Sequence, residues 1–255
     1  MKAPGWRRWL GWGLLAALLA SLAANIYLAR QADGYYHDLH AARLDPLGLS
    51  AYAAERAQPL AGVGPVVVFY GDSRAAQWPV PEGFTGAQFV NRGVPNQTTA
   101  QVLARYDADV APLTPRVVVL QAGINDLKTL PLFPEQAATI SADCLANLQA
   151  LVARATAEGA HVILTTLFPT GPVPLLRRPY WSPAIAAAVQ QVNVALAGLA
   201  GPQVTVLDAF TVLADSDGNL QADYALDTLH LTPAGYTALN AALTPLLQTA
   251  LAQTP

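Results

Sequence analysis

The sequence predicts an α/β protein built on a parallel sheet, on two observations. From Val63 onward, short β-branched runs alternate with longer amphipathic or alanine-rich stretches, the pattern of parallel strands joined by crossover helices. Each short run is almost continuously apolar, as a strand must be when both faces of its sheet are covered. At 255 residues, 53% hydrophobic and 12% charged, the chain is too apolar for a disordered tail and long enough to build a core. Its single cysteine, Cys144, excludes an intrachain disulfide framework and a cysteine-rich zinc site.

The elements follow in order. After Arg7 and Arg8 the run Trp9 to Ala29 has about the 20 residues a helix needs to cross a bilayer, with Asn25 its only strongly polar side chain. Lys2, Arg7 and Arg8 precede the run and Arg30 follows it, which puts the N-terminus in the cytoplasm and the rest of the chain outside it. Trp6, Trp9, Trp12 and Tyr27 suit the two interfaces. Ser21-Leu22-Ala23 also offers a peptidase small residues, so residues 1–30 are a signal anchor or a cleaved signal peptide, and a buried core helix is the bland alternative. Residues 31–62 read as a stalk or a helix packed on the main domain. His37 and His40 share one helix face there, solvated or sharing a metal, with no third ligand nearby.

Residues 63–255 form the main domain. Strands are predicted at Val66 to Tyr70, Gln88 to Asn91, Val117 to Gln121, His161 to Thr165 and Val204 to Leu207, and helices at Thr98 to Val110, Pro134 to Glu158, Ser182 to Leu199 and Thr232 to Leu251. Of the 14 basic residues four precede residue 31, leaving 10 against 17 acidic groups, a balance that argues against nucleic acid as a partner.

Doubly wound sheets carry their reactive groups in loops beyond the carboxyl ends of the strands. Three strands run into unusual loops there: Gly71-Asp72-Ser73, Arg92-Gly93 and Gly123-Ile124-Asn125-Asp126. Near the C-terminus Asp227-Thr228-Leu229-His230 precedes a helix opening at Thr232-Pro233. A serine hydrolase needs a hydroxyl with a base in reach, a carboxylate holding that base, and donors for the oxyanion. Ser73 is the candidate nucleophile, His230 the base and Asp227 its orienting carboxylate. The N–H groups of Ser73 and Gly93 and the amide of Asn125 are the candidate oxyanion donors. Helix capping is the competing reading of Ser73, and Asp72 and Asp126 read as loop and cap residues.

These four blocks, in this order, resemble the GDSL-type SGNH hydrolases, whose Ser, Gly, Asn and His match Ser73, Gly93, Asn125 and His230. The resemblance spans about residues 64–250. Asn91-Arg92-Gly93 through Gln97-Thr98-Thr99, then Arg105-Tyr106 and Asp109-Val110, are most similar to bacterial relatives of the platelet-activating-factor acetylhydrolase catalytic subunits. The resemblance implies a flavodoxin-like three-layer α/β/α sandwich with a five-stranded parallel sheet, no metal or other cofactor, and a short acyl ester of a small molecule, glycan or lipid as substrate. Envelope glycan O-acyltransfer through the same acyl-enzyme, and a tethered binding module without turnover, are the rival functions.

Two departures stand out. Arg74 replaces an aliphatic residue after the serine, where it would meet an anionic substrate group or a carboxylate at a helix start. Pro95-Asn96 replaces a small-Gly pair. Elsewhere His161 and Cys144 read as structural and core residues. Asp215-Ser216-Asp217-Gly218-Asn219 reads as a tight turn in preference to a calcium loop. Arg177-Arg178 with Tyr180-Trp181 either line the cleft or form a solvated loop.

Overall fold

The computed structural model describes residues 5–58, 60 and 62–253; Lys2 and the side chain of Arg7, counted above in the positive flank, lie outside this description. The chain divides into two units, residues 1–48 and 49–255.

The first unit is a single helix, α1 (Gly5–Leu44), which continues past Arg30 because nothing between Arg30 and Leu44 breaks a helix. Its apolar window has a mean hydropathy of 1.7 and no buried residue, so by length and composition α1 is a candidate membrane span, long and apolar enough to cross a bilayer. His37 is exposed four residues from Asp33, and the Tyr36 and His40 rings stack edge to face with centroids 4.4 Å apart.

The second unit opens with α2 (Ala53–Arg56) and continues through β1 (Val66–Gly71), α3 (Ser73–Ala76), β2 (Gln88–Gly93), α4 (Thr99–Ala104), α5 (Tyr106–Asp109) and β3 (Val117–Gln121). It ends with α6 (Ile124–Leu127), α7 (Ala137–Ala157), β4 (His161–Thr165), α8 (Pro183–Ala197), β5 (Val204–Leu207), α9 (Ala209–Leu213) and α10 (Pro233–Ala252). All five strands pair in parallel in the order β2-β1-β3-β4-β5, the flavodoxin-like arrangement.

The alternation of strand side chains splits the core in two. Val68, Tyr70, Val118 and Leu120 pack against Val102, Leu148, Leu151, Ile185 and Val192 of α4, α7 and α8. Val67, Phe69, Val117 and Val119 face the other way, against Leu213 of α9 and Leu239, Leu243 and Leu247 of α10. Three layers result, and both sheet faces are dry, which is why the strands read as unbroken apolar runs.

The helix predicted over Thr98 to Val110 is in fact two. Arg105 leaves helical geometry at φ −96°, ψ 2°, with its side chain fully buried and committed to partners beneath the sheet edge. The long helix predicted from Pro134 begins as a 3-10 turn (Pro134–Gln136) before α-helical geometry sets in at Ala137. Short α3, α6 and α9 were not predicted.

Candidate active site

β1 and β3 are the neighbours between which strand order reverses, the crevice where doubly wound folds take their ligands. Ser73 follows β1 and Asn125 follows β3, so adjacency in the sheet brings residues 52 apart in sequence to one crevice. The turn into Ser73 depends on Gly71 at φ 148°, where a Cβ would lie 1.7 Å from the Gln121 carbonyl of β3. Asp72 caps α3, its Oδ1 accepting from the Arg74 N–H at 2.9 Å. Burial, only partly opposed by Arg74, pushes the Asp72 carboxyl up to about 6.

Ser73, His230 and Asp227 meet as the sequence predicts. His230 Nε2 lies 3.1 Å from Ser73 Oγ, and Nδ1 lies 2.8 Å from Asp227 Oδ2. The other carboxylate oxygen accepts from the N–H groups of Leu229 at 2.7 Å and His230 at 2.8 Å, closing a tight turn. Partial burial weakens Asp227 as an acid, but the imidazole and these two N–H groups outweigh it and hold the carboxyl down to about 2. Ionised, the carboxylate can only accept, so His230 carries its proton on Nδ1 and offers the Nε2 lone pair to the serine hydroxyl.

Gly93 closes β2 and Asn125 lies on α6 just after β3. Gly93 presses against α3, where a Cβ would fall 2.2 Å from the Ala76 nitrogen, and its own N–H donates to Asn91 Oδ1 at 2.8 Å. Asn125 is buried, with Nδ2 donating to the Gln97 carbonyl at 2.9 Å and Oδ1 accepting from Lys128 Nζ at 2.6 Å. The Pro95-Asn96 departure is accommodated because Asn96 takes up the left-handed φ of 64° that a glycine would, a conformation asparagine tolerates well. Asp126, read as a loop or cap residue, accepts the Thr99 N–H and hydroxyl at the first turn of α4, a contact made by the fold and not by its own helix.

Arg74 forms no ion pair with a carboxylate among the described residues. It is fully buried, stacks 5.0 Å from the Phe168 ring centroid, and donates from Nε to the Leu229 carbonyl at 2.8 Å. The reason is geometric: a side chain on the first turn of α3 points inward under the Asp227–His230 turn and reaches its backbone before any carboxylate. Tyr236 of α10 in turn donates to the Arg74 carbonyl at 2.9 Å.

Sequence reasoning gave Arg105 and Gln97 no role of their own and passed over Lys128. Arg105 donates to Gln97 Oε1 at 2.5 Å, to Asp109 Oδ2 at 2.8 Å and to the Gly71 carbonyl at 2.8 Å, while lying 4.5 Å from the Tyr70 ring centroid. One cation thus braces both the turn before Ser73 and the residue holding Asn125. The spacing of Arg105 and Asp109 on one helical face is the only signal the sequence offers.

The segment after β4 is tied to the histidine turn. The Gly171 N–H donates to the Thr228 carbonyl at 2.8 Å, Thr228 Oγ1 donates to the Pro172 carbonyl at 2.9 Å, and a Cβ on Gly171 would lie 2.6 Å from the Asp227 carbonyl. Beyond it Leu175, Leu176, Arg178 and Tyr180 are exposed, and Arg177 stacks 5.5 Å from the Trp181 ring centroid. Asp215 to Asn219 is a turn in which Asp215 Oδ1 accepts two backbone N–H groups, and no metal-binding cluster occurs among the described residues. His161 bonds Thr205 through Nε2, and Cys144 is buried.

A serine, an imidazole and a carboxylate hydrogen-bonded in line at the switch point of a flavodoxin-like sheet form the arrangement of acyl-transfer chemistry. The model of the GDSL-like Lipase/Acylhydrolase family matches residues 61–238. The chain belongs to this family and is an ester-bond hydrolase.

Solved structures agree on the fold. A GDSL-like lipase from Bacteroides thetaiotaomicron is 23% identical with a TM-score of 0.64, the match covering 80% of this chain and 98% of that one. A Streptococcus pneumonia structure described as that of a platelet activating factor is 26% identical with a TM-score of 0.65, over 78% and 90% of the two chains. A mutant of an acetyl-xylooligosaccharide esterase from Geobacillus Stearmophilus is 21% identical with a TM-score of 0.52, over 76% and 96%. No curated protein matches the chain.

Proposed function

We propose that the protein is a membrane-tethered, extracytoplasmic serine esterase that removes short, acetyl-like acyl groups through an acyl-enzyme on Ser73. The observation that carries this reading is the bridging position of His230, 3.1 Å from Ser73 Oγ and 2.8 Å from Asp227. His230 Nε2 takes the serine proton as Oγ attacks the ester carbonyl, and returns it to the leaving alcohol as the tetrahedral intermediate collapses. Asp227 stabilises the imidazolium formed in between. Water activated by the same imidazole then releases the acid.

The Ser73 N–H, which as the first of α3 has no intrahelical acceptor, and the second N–H of the Asn125 amide stabilise the oxyanion. Gly93 joins them as its N–H turns from Asn91 to the substrate. No step of this chemistry calls for a metal or other cofactor. A solved chain of this fold named for an acetylated oligosaccharide supports a short acyl group on a small molecule or a glycan. The apolar α1, with Lys2, Arg7 and Arg8 in sequence before its apolar stretch and Arg30 after it, supports an anchor with the second unit outside the cytoplasm, or a secreted protein where that segment is cleaved.

The test is hydrolysis of p-nitrophenyl esters from acetate to palmitate by the full chain in detergent, with Ser73→Ala alongside. Serine-dependent turnover confined to short chains is the expected result. Turnover unchanged in Ser73→Ala would overturn the mechanism, and acyl transfer to an added glycan in preference to water would replace the hydrolase by the transferase.

A further inference from the structure

We propose that Lys128 is a positioning residue for the oxyanion donor, its ammonium fixing and polarising the Asn125 carboxamide. The inference rests on the reading of Asn125 as an oxyanion donor. Lys128 follows α6 directly, three residues after Asn125, and this spacing sets both side chains on one face of the turn. Its Nζ donates to Asn125 Oδ1 at 2.6 Å while Asn125 Nδ2 donates to the Gln97 carbonyl at 2.9 Å, so the carboxamide is gripped at both ends.

Two consequences follow from that grip. The amide plane cannot rotate, so the remaining N–H keeps one direction; and a cation on the amide oxygen draws electron density from nitrogen, making that N–H a stronger donor. Among the described residues Lys128 makes no ion pair, although Asp72 and Asp126 are near enough to oppose the downward push of burial and of Arg177 and Arg74 on its ammonium. Its charge is therefore directed at a neutral oxygen, which an ammonium prefers to leave for a carboxylate unless the site holds it there. A positive charge behind the oxyanion donor acts most when negative charge develops on the substrate, so its effect belongs to the transition state.

The test is a double-mutant cycle on the full chain with p-nitrophenyl acetate as probe. Lys128→Met should lower kcat about tenfold with KM little changed, the loss of one charge-assisted hydrogen bond in the transition state. Lys128→Arg, which keeps the cation, should recover most of that loss. In the Asn125→Ala background Lys128→Met should have no further effect, because a residue acting through Asn125 has nothing left to act on.

If Asn125→Ala retains wild-type kcat, the oxyanion reading of Asn125 fails and takes this inference with it. If Asn125→Ala is impaired but Lys128→Met is not, or if Lys128→Met costs the same factor in both backgrounds, the inference alone is overturned. Equal loss in Lys128→Arg and Lys128→Met overturns it as well.

Discussion

Asp227 is the residue whose electrostatics make the sharpest statement. Its carboxyl lies near 2, below its ordinary 3.8, so it is ionised at every pH at which the enzyme would work. Asp227→Asn should therefore lower kcat by about 10⁴-fold at neutral pH, since the imidazole loses both its orienting acceptor and the charge that stabilises its protonated form. Stability carries the same sign: a depressed carboxyl contributes above its unfolded value and loses that contribution as pH falls through about 2. Acid unfolding followed by circular dichroism should show the gap between wild type and Asp227→Asn narrowing below pH 3.8. Asn125→Ala should cost about 10² to 10³ in kcat, as loss of one oxyanion donor does elsewhere, measured on a short ester. Arg74 makes the opposite case, because its terminal nitrogens have no hydrogen-bond partner among the described residues. Arg74→Met should preserve or raise the melting temperature while lowering kcat, since it removes a buried charge but releases the Leu229 carbonyl. Ser73, Asp227 and His230 were legible because their chemistry is written in residue type and order. Lys128, Gln97 and Arg105 were not, because each acts through a contact that only the folded chain creates.

Among the elements, α3 and the α4–α5 break do the positioning. Gly93→Ala forces a methyl into the Ala76 backbone, so α3 must retreat from β2 and carry Ser73 with it. A marked fall in kcat is expected with the sheet intact by circular dichroism. Arg105→Met removes the donors that this side chain supplies to Gln97 Oε1, Asp109 Oδ2 and the Gly71 carbonyl. The cost should be about 3 to 5 kcal/mol, read as a lower urea midpoint at unchanged m-value. Strands were legible to within two residues because burial on both faces writes them as apolar runs. The four- and five-residue helices α3, α6 and α9 were not, since a single turn has no periodicity, and the break at Arg105 is imposed by tertiary contacts that override a helical pattern.

On the scale of the whole molecule, everything the chemistry uses lies in the unit Leu49–Pro255, and α1 carries the long apolar stretch. A chain beginning at Leu49 should leave the membrane fraction yet keep full turnover on a soluble short ester; loss of turnover would give α1 a part in the site. The α/β class was legible from pattern alone, but the strand order was not, because nothing in a run of valines says which neighbour it will take. The bonds between the loop at Gly171-Pro172 and the turn of Asp227 to His230 have a practical consequence for anyone reshaping this enzyme. Lengthening that loop would also shift the turn that carries the proposed general base, so its length cannot be varied independently of that turn.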